Sequence, residues 1–286
     1  MHDGRGNQTV GVYAAVGGRA HGVNCGAMST PPLPLGARLR TRGVCEDDWS
    51  ARPTAERPWP VILIHGTCDT KGVWQVLAGL LRENGWAVFA PDYGNRATGP
   101  IQESARQLDA YIDAVLTVTG AEQAILVGHS QGGLLARYWM RMHDRADRVH
   151  HVVCISSPNH GTTQGGIASP LFRSERQEDV VRSLIDGWFG PAGMQQVSGS
   201  DIVEATNRGS EVEDDVSYTC IATRSDAVVV PPTTCFLNGQ KVRNIFIQDI
   251  DRRALIRHED MPMDKRVCQL ISDDLDQLAE ARASAS

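Results

Sequence analysis

The sequence predicts an α/β fold with a mostly parallel sheet and helices on both faces, and two observations lead to this prediction. Short apolar segments alternate along the chain with segments whose apolar residues recur at helical spacing. A segment that is apolar throughout is typical of a strand buried on both faces, and strands separated by helices pair in parallel. With 286 residues, the chain is also long enough to bury a large core.

Six apolar segments are predicted to be the strands of this sheet. They are "VILIHG" (61–66), "WAVFAPDYG" (86–94), "QAILVG" (123–128), "VHHVVCISS" (149–157), "VSYTCIAT" (216–223) and "VRNIFIQ" (242–248). Helices are predicted between them, and a last helix over about 265–281. We therefore expect one domain over 58–286. It is preceded by an extended N-terminal arm over 1–57, which is rich in Gly, Pro, Arg and Thr and shows no periodicity.

A stretch at 161–215 interrupts the alternation and is predicted to be a lid or cap over a functional site. It contains a predicted helix near 177–189, whose apolar side includes Leu184, Trp188 and Phe189. Long insertions in compact domains are often functional, so we expect these three side chains to contact a substrate. The alternative is that this apolar stripe only packs against the core.

Composition argues against several classes of function. The net charge is −6 and no basic cluster occurs, so a nucleic-acid partner is not expected. No apolar segment reaches the roughly 20 residues of a transmembrane helix. The seven cysteines include no Cys-x-x-Cys pair, so a metal site is not expected. Cys220 and Cys235 flank a loop, and the sequence leaves open whether they form a disulfide or stay reduced.

The segment "ILVGHSQGGLL" (125–135) places a serine where chemistry can occur. Ser130 lies in the pattern Gly-x-Ser-x-Gly, between a predicted strand and a predicted helix. It is therefore at the carboxyl edge of the sheet, where open α/β sheets bind their ligands. In this context the chain turns sharply and the serine adopts a strained backbone, while Gly128 and Gly132 avoid collisions with neighbouring elements. The pattern predicts Ser130 as a nucleophile.

A serine nucleophile needs a base and an acid, which on this type of sheet follow it in the chain as Asp or Glu and then His. His258, in "RHEDMPMD", lies past the last predicted strand and is the predicted base, whereas His160 comes too early to follow an acid. Asp226 lies in a turn after a predicted strand and is the predicted acid. Its competitors are Asp249, Asp251 and Glu259.

The oxyanion that forms during attack on a carbonyl needs hydrogen-bond donors. One is expected to be the backbone N–H of Gln131, directly after the nucleophile. The other is expected from "HGT" (65–67), where Gly66 lets the backbone come close and the N–H of Thr67 points into the site. The Thr67 hydroxyl could add a third donor, and each donor of this kind contributes on the order of 10²–10³ in rate.

Taken together, these motifs resemble the α/β-hydrolase lipases and esterases, specifically the actinobacterial class 2 triacylglycerol lipases. The segments that carry the resemblance are "DWSARPTAERPWPVILIHGT", "WAVFAPDYG", "VGHSQGG", "SSPNHGT", "YTCIATRSDAVVVPPTT" and "FIQD", followed by His258, over about 44–275. "GT" (66–67) and "SQGG" (130–133) are also similar to the fungal lipase B type, in which a threonine and a glutamine build the oxyanion hole. The resemblance implies an α/β-hydrolase catalytic domain with the triad Ser130, Asp226 and His258 and the oxyanion donors Thr67 and Gln131.

The resulting hypothesis is hydrolysis of carboxylic esters, of triacylglycerols or shorter acyl esters, through an acyl-enzyme on Ser130 and without a metal or organic cofactor. The alternatives are an acyltransferase with the same triad and a non-catalytic binding protein on the same fold. The expected partner is a small-molecule or lipid ester, with transient contact to a lipid interface. No segment is convincing as a secretory signal, which indicates a cytoplasmic protein, although the resembled family is usually secreted.

Overall fold

The computed structural model describes residues 33–168 and 178–285. Residues 1–32 of the predicted arm, residues 169–177 of the predicted insertion and Ser286 lie outside this part of the chain. The strands are β1 (Val61–Ile64), β2 (Val88–Phe89), β3 (Ala124–His129), β4 (Val149–Ile155), β5 (Ser217–Ala222) and β6 (Val242–Phe246). All of them lie within the segments predicted to be strands, apart from the last residue of β3.

Helices separate most of the strands. They are α1 (Gln75–Glu83), α2 (Gly94–Ala97), α3 (Ile101–Thr119), α4 (Gln131–Met142), α5 (Gln164–Ala168), α6 (Glu178–Phe189), α7 (Pro191–Gln195), α8 (Asp201–Asn207), α9 (Ile247–Ile250) and α10 (Lys265–Ala285). Short 3₁₀ helices lie at Leu35–Arg38, Lys71–Trp74, Ala146–Arg148, Pro232–Cys235 and His258–Asp260. Among the described residues, no helix combines the length and the hydrophobicity needed to span a bilayer.

The six strands form one parallel sheet in the order β2-β1-β3-β4-β5-β6, which confirms the predicted fold class. The chain leaves β1 for β2 on one side and then returns to β3 on the other side of β1. The loops that follow β1 and β3 therefore run in opposite directions and leave a crevice at the carboxyl edge of the sheet. β1 ends at Ile64 and β3 ends at His129, so the crevice lies between "HGT" (65–67) and Ser130.

Alternate side chains of each strand enter two cores, one on each face of the sheet. In β1, Ile62 and Ile64 pack with α3 and α4, whereas Val61 and Leu63 pack with α1 and α10 on the other face. All four side chains are fully buried. Burying an aliphatic side chain contributes about 1.5–3 kcal/mol. The centre of the sheet is therefore a rigid support for the loops at its carboxyl edge.

Residues 33–57 of the predicted arm contain little regular structure but make specific contacts with the sheet domain. The Asp47 carboxylate accepts hydrogen bonds from the N–H of Ala90 and from the Tyr111 hydroxyl, each at 2.8 Å. Trp49 lies with its ring centroid 5.4 Å from that of Phe89. Because Ala90 directly follows the edge strand β2, Asp47 satisfies a backbone donor at the end of that strand. The division of the chain at residue 58 stays a prediction.

The insertion at 161–215 is joined to the domain core by a buried arginine. In its described part it contains α5, α6, α7 and α8, and α6 is the helix that was predicted near 177–189. Arg137 of α4 is 1% exposed, and its guanidinium donates to the side-chain oxygen of Asn207 at 2.7 Å and to the carbonyl of Glu211 at 2.6 Å. A buried guanidinium without partners would cost several kcal/mol, so these bonds fix the C-terminal part of the insertion.

Cys220 and Cys235 are free thiols. Of the two possibilities that the sequence left open, a disulfide or two reduced cysteines, the structure has the reduced cysteines. Cys220 lies in β5 beside Cys154 of β4, and both are fully buried. The Cys235 thiol points at the Cys154 carbonyl, 3.7 Å away. These three thiols behave as small core residues.

Candidate active site

Ser130 lies at a strained turn between β3 and α4, as its sequence pattern predicts. Its φ of 53° and ψ of −123° place a non-glycine residue in a backbone region that costs about 1–3 kcal/mol. Packing around the turn maintains this conformation. A Cβ on Gly128 would lie 2.3 Å from the Gly133 nitrogen, and a Cβ on Gly132 would lie 2.1 Å from the Ile64 carbonyl oxygen. Only glycine fits at these two positions, so α4 approaches the sheet closely and Ser130 is held at its edge.

Ser130, His258 and Asp226 are joined by hydrogen bonds, although they lie on three separate segments. The Ser130 hydroxyl donates to His258 Nε2 at 2.9 Å, and His258 Nδ1 donates to an Asp226 carboxylate oxygen at 2.8 Å. A carboxylate can only accept, so the ring proton is on Nδ1 and Nε2 is free to accept. All three residues are more than nine-tenths buried. The structure thus brings the predicted nucleophile, base and acid together.

The Asp226 carboxylate is held in its charged form. Burial by itself would raise its pKa. The charge of His258, the hydrogen bond from His258 and the hydrogen bonds from two backbone amides outweigh burial, so the pKa lies below its ordinary value. The amides belong to Val228 and Val229, and both donate to the second carboxylate oxygen at 2.9 Å. A carboxylate bound on both oxygens cannot rotate easily, so it orients the imidazole.

The other candidates for the acid and the base have other partners. Each competing acid pairs with an arginine at the surface: Asp249 with Arg224, Asp251 with Arg266 and Glu259 with Arg257. His160 is hydrogen-bonded through Nε2 to the Phe236 carbonyl at 3.0 Å. None of these four residues contacts the Ser130 hydroxyl.

His129 supports His258 and was not predicted as a site residue. It is almost fully buried, and its Nε2 donates to the His258 carbonyl at 3.0 Å. Burial, and then the charge of His258, lower its pKa well below the ordinary value, so it stays neutral. Its place in "GHSQG", directly before the nucleophile, is the signal that could have identified it. Its hydrogen bond fixes the backbone of the proposed base.

The two predicted oxyanion donors lie on either side of the crevice. Gln131 is the first residue of α4, where backbone N–H groups have no partner within the helix. Thr67 follows Gly66, and a Cβ on Gly66 would lie only 3.0 Å from the Cβ of Ser130, so this loop passes directly beside Ser130. Thr67 and Ser130 also line the same cavity.

Gln196, in the insertion, holds the Thr67 side chain and was also missed. Its amide nitrogen donates to the Thr67 hydroxyl oxygen at 3.0 Å and to the Ala192 carbonyl at 2.9 Å. Because the hydroxyl oxygen accepts this bond, its own proton remains available to a substrate oxygen. Gln196 is 5% exposed and lines the cavity. The insertion therefore contributes to the predicted oxyanion site.

Arg96 holds the loop that carries Thr67. Its backbone carbonyl accepts a hydrogen bond from the N–H of Cys68 at 2.8 Å. Its guanidinium donates to three backbone carbonyls: that of Cys68 at 2.5 Å, that of Asp69 at 3.3 Å and that of Leu39. The residues of α2, which includes Arg96, have positive φ values, from 49° to 63°. A left-handed backbone costs a non-glycine residue roughly 1–2 kcal/mol. The contacts of Arg96 offset this cost and fix the loop.

A cavity of about 450 Å³ opens beside Ser130 and His258. Its apolar lining comes from Ile167, Phe189, Ala227 and Val228. Of the three predicted substrate contacts, Phe189 lines this cavity, whereas Leu184 and Trp188 do not. Helical spacing explains the difference. Ile185 and Phe189 are four residues apart and share the face that packs with Ile167, and Leu184 and Trp188 lie on the adjacent face.

Known proteins resemble this chain in sequence and in fold. A family model described as alpha/beta hydrolase fold matches residues 60–180. A triacylglycerol lipase of Burkholderia plantarii is 31% identical over 156 residues, which cover 52% of this chain and 43% of that lipase. A triacylglycerol lipase of Pseudarthrobacter phenanthrenivorans is 32% identical over 124 residues, which cover 41% of this chain and 38% of that lipase. This chain thus spans less than half the length of either relative.

The solved structure of lipase B of Aspergillus fumigatus superposes on this chain with a TM-score of 0.63 at 18% identity. The superposition includes 84% of this chain and 56% of the lipase B chain. Together the matches confirm the predicted α/β-hydrolase fold and the resemblance to lipases and esterases. They do not single out the actinobacterial class 2.

The contacts of Arg96 generate a testable prediction. Arg96→Ala should lower kcat for an ester about ten- to a hundredfold with little change in KM, because a displaced loop misplaces one oxyanion donor. Hydrogen exchange at residues 66–70 should become faster in the same variant. Arg106→Ala, which removes an exposed arginine of α3, is the matched control and should change neither quantity. An Arg96→Ala variant with unchanged kcat would show that the loop keeps its position without this side chain.

Proposed function

We propose that this chain, which has the α/β-hydrolase fold and resembles lipases and esterases, hydrolyses carboxylic esters through an acyl-enzyme on Ser130. The observation that carries the proposal is the buried hydrogen-bonded array from Ser130 to His258 to Asp226. It stands at the mouth of an apolar cavity, beside a loop and a helix N-terminus that present backbone donors.

Acylation would begin with attack of the Ser130 oxygen on the ester carbonyl carbon. The bond from Oγ to carbon forms, and the hydroxyl proton passes to His258 Nε2, 2.9 Å away. The imidazolium that results is stabilised by the Asp226 carboxylate. The carbon–oxygen bond to the alcohol then breaks, and His258 returns the proton to the leaving oxygen. In the second half of the reaction, water takes the place of the alcohol and releases the acid.

The negative charge on the carbonyl oxygen would be held by three donors: the N–H groups of Thr67 and Gln131 and the Thr67 hydroxyl. Gln196 keeps the hydroxyl oriented by donating to its oxygen. Donors that are fixed before the reaction stabilise the transition state without reorganisation, which is usually the largest contribution to catalysis of this kind.

The shape of the site suggests how the acyl group would bind. The cavity of about 450 Å³ is of the size that encloses small organic ligands, and its apolar walls suit a hydrocarbon chain. Ile167, Phe189 and Gln196 come from the insertion, which supports its assignment as the lid. The proposed substrates are therefore acyl esters of lipids or of shorter acids. Acyl transfer to an alcohol would use the same residues and would be recognised by its ester product.

The proposal is tested by the turnover of p-nitrophenyl butyrate. Ser130→Ala should lower kcat by roughly 10⁴–10⁶-fold, because loss of the nucleophile leaves only binding and the oxyanion donors. Ser284→Ala removes an exposed serine on α10 and should leave turnover unchanged. Turnover in Ser130→Ala that is close to that of the parent chain would refute the proposal. Circular dichroism of each variant would verify that it is folded.

The Thr67 hydroxyl gives a second prediction. Thr67→Val keeps the size and the branching of the side chain and removes the hydroxyl, so kcat should fall about tenfold or more. Thr67→Ser keeps the hydroxyl and should retain most of the rate, because Gln196 can still donate to the serine oxygen. Equal rates for the valine and serine variants would mean that the hydroxyl is not an oxyanion donor.

A further inference from the structure

A second cavity, of about 240 Å³, also reaches the proposed catalytic residues. It shares Thr67, Ser130, His258 and Glu259 with the apolar cavity. Its remaining walls are different, because they come from the arm at 39–42, from the loop after β1 and from α2. Two cavities that meet at one nucleophile can hold the two parts of an ester on either side of the bond that breaks.

The walls of this second cavity carry positive charge. Arg42 is neutralised by Asp69, at 2.7 Å, and it also lies 3.6 Å from Asp260. Arg40 and Arg96 also line the cavity, and neither makes an ion pair within the residues that the structure describes.

The acidic groups of the cavity compensate its arginines only in part. Asp69 is occupied by Arg42, and Glu259 lies 3.3 Å from Arg257, which also binds Asp260 at 2.9 Å. Arg96 is bound only to backbone carbonyls, so its guanidinium is fixed in place but keeps its charge. The lining therefore carries three arginines against two carboxylates, so a net positive charge faces the cavity beside Ser130.

The chemistry of the proposed reaction assigns one part of the substrate to each cavity. The acyl chain is hydrocarbon and fits the walls formed by Ile167, Phe189 and Val228. The alcohol must extend from the oxygen that His258 protonates, and the charged cavity is lined by His258 and Ser130. A hydrocarbon alcohol would have to desolvate the arginines there without compensation, whereas an anionic group would replace their water with ion pairs.

We propose that the second cavity is an alcohol subsite for esters whose alcohol carries an anionic group, either a phosphate or a carboxylate. This inference rests on the proposed ester hydrolysis. Arg96 supplies a charge in a fixed position, and Arg40, which is exposed, supplies a second charge from the arm. Arg40 is then a specificity-determining residue of this subsite, and the arm is a functional part of the enzyme.

The test compares four soluble esters of butyric acid that differ only in the alcohol. The alcohols are glycerol, glycerol 3-phosphate, 3-hydroxypropanoate and choline, and kcat/KM is measured for each at low ionic strength. At least one of the two anionic esters should be cleaved about five- to tenfold more efficiently than the glycerol ester, and the choline ester least efficiently. The preference should shrink as NaCl is added. The two anionic esters distinguish phosphate from carboxylate recognition.

Substitution of Arg40 tests whether the preference arises in this cavity. The preference is the kcat/KM for the better anionic ester divided by the kcat/KM for the glycerol ester. Arg40→Ala should lower this preference about threefold to fivefold, and Arg40→Glu should lower it further. Arg38→Ala is the matched control. It removes an exposed arginine two residues away that does not line the cavity, and the ratio should not change.

Three outcomes would overturn an assignment. Anionic esters that are cleaved no better than the glycerol ester would overturn the charged subsite while leaving ester hydrolysis intact. A preference that survives in Arg40→Glu would overturn the assignment to this cavity. Absence of turnover with all four esters and with p-nitrophenyl butyrate would overturn the proposed function itself.

Discussion

The hydrogen bond between His258 and the Asp226 carboxylate is the interaction on which the site depends. It fixes the ring proton on Nδ1, so that Nε2 can accept the proton of Ser130. The carboxylate stays charged although it is buried, because His258 and two backbone amides on its second oxygen together lower its pKa. His129 supports the same array from the other side by holding the backbone of His258. The array is therefore preorganised before a substrate arrives.

Segments outside the sheet complete the site. Ser130 and the loop that carries Thr67 lie at the crevice between β1 and β3, but the sheet alone does not hold that loop. Arg96 binds it from α2, and Gln196 binds the Thr67 hydroxyl from the insertion. The insertion also gives the large cavity part of its apolar wall, and the arm and α2 give the smaller cavity its arginines. Elements outside the sheet thus form much of the lining of both cavities beside Ser130.

The fold and the proximity of Ser130, Asp226 and His258 were accessible from the sequence because each depends on a local pattern. Buried parallel strands are apolar throughout, and the order of nucleophile, acid and base follows from the order of the strands. The supporting residues depend on contacts between distant segments. Gln196 and Thr67 are 129 residues apart, and Arg96 and Leu39 are 57 residues apart. Helical periodicity predicted an apolar stripe in α6 but could not show that the edge with Phe189 faces the cavity.

The central claim is that Ser130 is a nucleophile activated by His258. The most direct measurement is mass mapping of the residue that reacts with an alkyl fluorophosphonate, which modifies only an activated serine. The account predicts a single adduct on the peptide that contains Ser130, and a much slower reaction in His258→Ala, because the hydroxyl then keeps its proton. An adduct on any other residue, or equally fast labelling of Ser130 in the two proteins, would contradict it.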